Sequence, residues 1–177
     1  MVGNNAISRE TRPVEAMMTI AVGDRIPDVK VMTMTNDGPK PVQTGEVLGK
    51  GRVVLFAVPG AFTPTCSDYH LPGFVLRAEE LQGKGVDTIA CIAVNDPFVM
   101  GAWAKANAVG DDIVMLADGN GAFAHAVGLE LDGSGFGLGT RSQRYAAIID
   151  DGVITTLKVE KGPGLDVSSA DSMLAAL

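Results

Sequence analysis

Cysteine is scarce in this 177-residue chain, which holds only Cys66 and Cys91. Two thiols cannot build the disulfide framework of a small secreted protein, and they suit a reducing compartment. They do not stand as C-x-x-C either, which counts against a dithiol–disulfide oxidoreductase. Clustered basic residues are lacking too. Fourteen Lys and Arg against 21 Asp and Glu leave a net charge of −7. The basic residues are scattered, so neither nucleic acid nor an anionic membrane finds an electrostatic footprint. No apolar run approaches the ~18 residues of a membrane span. Residues 1–17 have no secretory apolar stretch, and Glu10 and Glu15 weigh against a transit peptide. That segment is expected to be a disordered extension or a cloning remnant, with a cytoplasmic location by default. No repeat or linker divides residues 18–177, so one domain is expected there, long enough and apolar enough (46% hydrophobic) for a sizeable core.

What is present alternates between strand and helix signals. Residues 23–41 interleave short β-prone runs with turns such as Asn36-Asp37-Gly38. Residues 53–58 form a continuous apolar run, the pattern of a strand buried on both faces. Thr63 then stands as an N-cap with Pro64 at the first helical position. Phe74, Ala78 and Leu81 continue at helical spacing to Gly83–Gly85, and Pro72 should kink or interrupt this helix. A second buried strand reads over 86–94, and Asp96-Pro97 opens a helix to about Asn107. A short strand follows at 113–116, and Asn120 is expected to cap a short helix through Val127. After a glycine-rich loop at 132–139, β runs at 145–149 and 153–159 flank Asp150-Asp151-Gly152, a hairpin signal. A helix over about 168–177 closes the chain. The βαβ unit, hairpin and terminal helix predict an α/β chain with the element order of a thioredoxin-like fold.

The chemistry concentrates in Pro59-Gly60-Ala61-Phe62-Thr63-Pro64-Thr65-Cys66. A cysteine in the first turn of a helix meets unpaired backbone N–H groups and the positive end of the helix dipole. Such a site favours the nucleophilic thiolate. Thr63 can direct its hydroxyl at the same space, and Pro59 and Pro64 stiffen the approach. On capping geometry alone, a reactive Cys66 and an inert buried one are equally open.

At these residues the sequence resembles the peroxiredoxins. Pro59, Thr63 and Cys66 stand in the family's P-x-x-x-T-x-x-C spacing, and residues 59–74 look like the atypical type II subfamily throughout. The likeness continues through 90–105, 116–123 and 138–154. It implies a thioredoxin-like fold with a small N-terminal β extension, no metal and no cofactor. It also implies reduction of hydrogen peroxide and organic hydroperoxides through a sulfenic acid on Cys66. The expected donors to the shifting charge are the Thr63 hydroxyl, the Cys66 N–H and an arginine. Arg144, just before an apolar strand, matches the family position better than Arg141, which is left in support. His70 resembles the histidine of the subfamily's HLPG segment and is expected to support the pocket. Some members carry a resolving cysteine in the C-terminal segment. Here residues 164–169 hold no thiol, which leaves Cys91 as the one internal candidate. Joining it to Cys66 would require the helix start to unwind, since a disulfide needs Cα atoms within ~7 Å. One-cysteine chemistry is therefore expected, with glutathione, a glutaredoxin or a thioredoxin as reductant. Homodimers are implied as well, through surfaces flanking the site, where Phe62, Phe98 and Trp103 form a candidate patch; core packing is the default for each.

Two features are discounted. Cys66, His70, Cys91 and His125 could be added up to four metal ligands, but their spacing is long and irregular. The glycine-rich loop leads into a strand, without the helix N-terminus that a phosphate needs. The rival reading of the whole is a thioredoxin-fold redox sensor or binding protein that relays oxidation to a partner without efficient turnover.

Overall fold

The computed structural model describes residues 19–177, so the expected N-terminal extension at 1–17 lies outside the described residues. A seven-stranded sheet forms the frame, in the order β2-β1-β5-β4-β3-β8-β9. The strands are β1 (Lys30–Thr35), β2 (Gly38–Gln43), β3 (Arg52–Ala57), β4 (Thr88–Ala93), β5 (Val114–Ala117), β8 (Tyr145–Asp150) and β9 (Val153–Val159). The three central strands β3, β4 and β5 are parallel, and the outer pairs are antiparallel. A two-stranded ribbon, β6 (Glu130–Asp132) with β7 (Thr140–Ser142), brackets the glycine-rich loop. The thioredoxin-like architecture with its N-terminal β1–β2 addition is thus present.

Residues of β3 alternate between two cores, as the period of a pleated strand requires. Val54 and Phe56 face one core together with Cys91 of β4. That core is filled by α2 (Leu71–Gly83), α3 (Pro97–Ala106) and α5 (Ala170–Ala176). Val53, Leu55 and Ala57 face the other, against α1 (Thr44–Leu48) and α4 (Ala122–Val127). Both faces of β3 and β4 are covered, hence their unbroken apolar runs. Trp103 is fully buried, whereas Phe62 and Phe98 are more than half exposed, so the three do not form one patch.

Local chemistry sets the turns. Asp151 and Gly152 both take positive φ (47° and 85°), the two-residue hairpin geometry expected of Asp-Gly, and Asp150 pairs with Val153 across it. Pro72 does not break its helix. The chain is helical from Pro64, and its turn at Cys66–His70 widens to π geometry, with the Leu71 N–H bonded to the Cys66 carbonyl. A proline ring clashes with the carbonyl four residues back in a regular helix, and the wider turn just before Pro72 relieves that conflict.

The short strands and turn expected within 23–41 are present as β1 and β2 at one edge of the sheet. Two local expectations need correction. The closing helix begins at Ala170, where Ser169 accepts from the Ser172 N–H. The cap of α4 is not Asn120. Gly121 occupies the N-cap position at φ 69°, and the buried Asp118 carboxylate reaches past it to accept from the N–H groups of Phe123 (3.0 Å) and Ala124 (2.9 Å). A left-handed N-cap needs a glycine, and glycine brings no side chain, so the acceptor comes from upstream. Removing it in Asp118→Ala should lower the unfolding free energy by about 2 kcal/mol. The check is a lower urea midpoint at unchanged slope, with Asp118→Asn, which keeps one acceptor, losing less.

Candidate active site

The loop after β3 and the first turn of its helix present Cys66. Phe62 is held at φ 63°, a conformation costing a bulky residue about 1–2 kcal/mol. Neighbouring contacts hold it there. Asn95, beyond β4, accepts from the Ala61 N–H at 2.9 Å, and the Thr63 hydroxyl donates to the Gly60 carbonyl at 2.7 Å. A Cβ on Gly60 would stand 3.1 Å from Thr63 Cγ2 and 3.3 Å from Arg141 Nη1, so glycine lets the loop close against both.

Thr63 does occupy the N-cap position, since its carbonyl accepts the Ser67 N–H at 2.9 Å. Its hydroxyl, however, gives its proton to Gly60. That leaves lone pairs rather than a free O–H for a ligand, the reverse of the donor expected from the sequence. As a first-turn residue, Cys66 keeps a backbone N–H with no helical carbonyl beneath it.

Arg144 and Arg141 separate clearly. Arg144, only 6% exposed, donates from Nη2 to Cys66 Sγ at 3.1 Å and from Nη1 to His70 Nδ1 at 2.9 Å. Its Nε is buried without a hydrogen-bond partner. Arg141 is occupied elsewhere, donating to the carbonyls of Leu138 (2.9 Å) and Val94 (3.3 Å) beside the Gly60 loop.

His70 is fully buried one helical turn after Cys66, its ring tilted against the side of the Phe56–Phe74 pair, whose centroids stack 4.0 Å apart. Its bonding fixes its proton. Nε2 faces the Ser168 carbonyl at 2.8 Å, which can only accept, and Nδ1 faces a guanidinium, which can only donate. The ring is therefore the neutral Nε2–H tautomer. Burial, with the Arg144 charge adding to it, lowers the His70 pKa to about 4 against the opposing pull of the Ser168 bond and Glu160.

Cys91 is buried in β4, in the same core as Cys66. Burial first, then the neighbouring Cys66, pushes its thiol well above the ordinary range, and Arg144 only partly offsets this. His125 lies apart, exposed and paired with Glu130 at 2.7 Å. Among the described residues, no group of three or more His, Cys, Asp or Glu is placed to hold a metal ion.

A cavity of about 580 Å³ is lined by Pro59, Thr63, Pro64, Thr65 and Arg144, with Leu131, Phe136, Leu138 and Pro163 adding apolar surface and Glu160 and Lys161 polar groups. The sequence reading missed this apolar wall, and it missed Asn95, Ser168 and Glu160. Asn95 stands in a segment that reads only as strand end and helix cap. Ser168 carries no local signal because its partner His70 is distant in the chain, and Glu160 because it meets its donors across an irregular loop.

Comparison with known proteins agrees with this geometry. A family model described as Redoxin matches residues 21–174. Peroxiredoxin-2B of Arabidopsis thaliana is 48% identical over 162 residues, covering 91% of this chain and all of that protein. The chloroplastic peroxiredoxin-2E of the same plant is 48% identical over 171 residues, covering 94% of this chain and 72% of that one. Among solved structures, reduced Prx3 in complex with hydrogen peroxide from Vibrio vulnificus superposes with a TM-score of 0.85 at 51% identity, covering 89% of this chain and 99% of that chain. Peroxiredoxin 5 from Alvinella pompejana gives a TM-score of 0.77 at 39% identity, covering 89% and 97%. A cysteine under a buried arginine on this fold, together with these relatives, makes the chain a member of the peroxiredoxins of the redoxin family, a thiol-dependent peroxidase of the type II kind.

Proposed function

We propose that Cys66 is the peroxidatic nucleophile for hydrogen peroxide and organic hydroperoxides, with Arg144 and Thr63 acting on the peroxide and His70 orienting Arg144. The observation that carries this reading is the 3.1 Å bond from Arg144 Nη2 to the Cys66 sulfur. The thiolate attacks one peroxide oxygen and the O–O bond breaks. Its electron pair leaves on the other oxygen, which takes up a proton and departs as water or an alcohol, and Cys66 becomes a sulfenic acid. Negative charge grows on the leaving oxygen as the bond stretches. A guanidinium already fixed beside the sulfur stabilises that charge without reorganising. Thr63, whose own proton is held by Gly60, supplies the acceptor for the peroxide O–H. Pro59 and Pro64 line the approach.

The sulfenic acid is recycled by an external thiol, with glutathione, a glutaredoxin or a thioredoxin as the reductant. A thiol attacks as its thiolate, and burial holds Cys91 protonated, so it is a poor resolving partner. We further propose that residues 18–177 act as one domain. They form a homodimer that uses the exposed Phe62 and Phe98 near the site, and the protein works in the cytoplasm. No helix among the described residues is long and apolar enough to cross a membrane.

Three outcomes are expected. Stopped-flow kinetics with hydrogen peroxide should show no reaction for Cys66→Ser and a nearly unchanged first oxidation step for Cys91→Ser; equal losses would refute the assignment. Arg144→Ala should lose roughly two orders of magnitude in second-order rate, about 3 kcal/mol of transition-state stabilisation. Arg141→Ala should lose much less, and the reverse order would transfer the role to Arg141.

The third concerns pH. His70 takes up a proton near its ordinary 6.5 in the unfolded chain but only near 4 in the fold. The unfolded state therefore binds more protons between those values, and stability falls as pH drops through that window, by up to about 3 kcal/mol. Urea unfolding of the wild type and of His70→Gln from pH 7 to pH 4 checks this, with the variant expected to show the shallower decline.

A further inference from the structure

Beyond the Ser168 carbonyl the chain of bonds continues to a residue outside the peroxidase machinery. Glu160 follows directly on β9, and its Oε1 accepts four hydrogen bonds. They come from the N–H groups of Asp166 (2.9 Å), Val167 (2.6 Å) and Ser168 (2.9 Å) and from the Ser168 hydroxyl (3.0 Å). The Glu160 N–H in turn donates to the Arg144 carbonyl at 3.0 Å. One residue thus grips both the backbone of Arg144 and the segment that presents the Ser168 carbonyl to His70. Burial alone would raise the Glu160 carboxyl, but the bonds from the Val167, Ser168 and Asp166 groups outweigh it and hold it below the ordinary carboxylate range.

We propose that Glu160 is a positioning residue for the peroxidase reaction, fixing the Ser168 carbonyl that orients His70 and, through His70, the Arg144 guanidinium at Cys66. Residues 166–168 have no regular secondary structure, so no helix or ladder bond holds them in place. Three consecutive N–H groups converging on one carboxylate oxygen do that work instead. Without the acceptor, these donors turn to water and the Ser168 carbonyl loses its fixed direction. The His70 ring then loses the acceptor that holds its proton on Nε2, and only the Arg144 bond still favours that tautomer. A ring with its proton on Nδ1 cannot accept from Arg144, so a displacement at the protein surface is converted into a misaimed guanidinium at the sulfur. Small misplacements of this kind cost rate steeply in a preorganised site.

The inference rests on Cys66 and Arg144 having the roles proposed above, and the experiment keeps the two apart. Wild type, Glu160→Ala and Glu160→Gln are compared by stopped-flow oxidation of Cys66 with hydrogen peroxide, and by the ¹H–¹⁵N spectrum of the His70 imidazole, which reports its tautomer. Glu160→Ala is expected to lose about ten-fold or more in second-order rate, with His70 shifting from the pure Nε2–H form to a mixture. Glu160→Gln keeps an acceptor oxygen and should fall between the two in both readouts. A Glu160→Ala rate within about two-fold of wild type would overturn the proposal. So would a slower rate with the His70 tautomer unchanged, which would mark a purely structural role. If Glu160→Ala fails to fold, Glu160→Gln and Glu160→Asp decide, the shorter carboxylate being expected to reach fewer of the four donors and to disturb the tautomer more. Slow reaction of the wild type itself would refute the peroxidatic reading instead, and the tautomer measurement would still judge the link from Glu160 to His70.

Discussion

A guanidinium buried at a protein centre must spend its donors well, and the arrangement around Arg144 follows from that requirement. One N–H group goes to sulfur and one to an imidazole nitrogen. The second bond imposes a condition on His70, because a guanidinium only donates and so the nitrogen it meets must be bare. That in turn demands an acceptor on the far side of the ring, which the Ser168 carbonyl supplies. The sulfur, the arginine and the histidine are therefore not three independent placements. Each bond direction dictates the next, and a neutral histidine is needed so that a cation can be held without a second cation beside it.

The scaffold makes this sequence of bonds rigid. His70 is wedged against the stacked Phe56 and Phe74, one from the central strand and one from the helix that carries Cys66. Arg144 lies immediately before β8, which pairs with β3 along its whole length. Cys66, its partner Arg144 and the His70 ring thus hang from adjacent elements of one sheet and one helix. Such elements hold a geometry better than loops do.

Much of this was legible in the residues themselves. The unbroken apolar run at β3 announced a strand covered on both faces, and Thr63-Pro64 marked the helix start at which Cys66 sits. Asp-Gly at 151–152 specified its turn. The choice of Arg144 over Arg141 came from family resemblance, and the bond to sulfur is what separates them in space. Other features were hidden because their physics is nonlocal or directional. Asp118 caps a helix from beyond its own N-cap residue, which no adjacent-residue rule detects. Glu160 meets its donors across a loop of irregular backbone. The Thr63 hydroxyl was visible as a group, but its direction depends on Gly60, whose carbonyl position is set by the fold.

The wide turn between Cys66 and His70 has a bearing on helical phase. Each residue of a regular helix advances the side-chain direction by about 100°, and a π turn inserts one residue without advancing the helix by a full step. The inward stripe of Phe74, Ala78 and Leu81 is therefore out of phase with Cys66 at the start of the helix, and the two are reconciled only by the extra residue. A one-residue deletion in that turn would leave a smoother helix and an intact hydrophobic stripe. It would swing the cysteine by about a quarter of a revolution relative to the sheet beneath it, away from the arginine that waits there. The irregularity in the helix is what lets a single rod serve two masters, a packed core along one part of its length and a sulfur aimed at a fixed cation along the other.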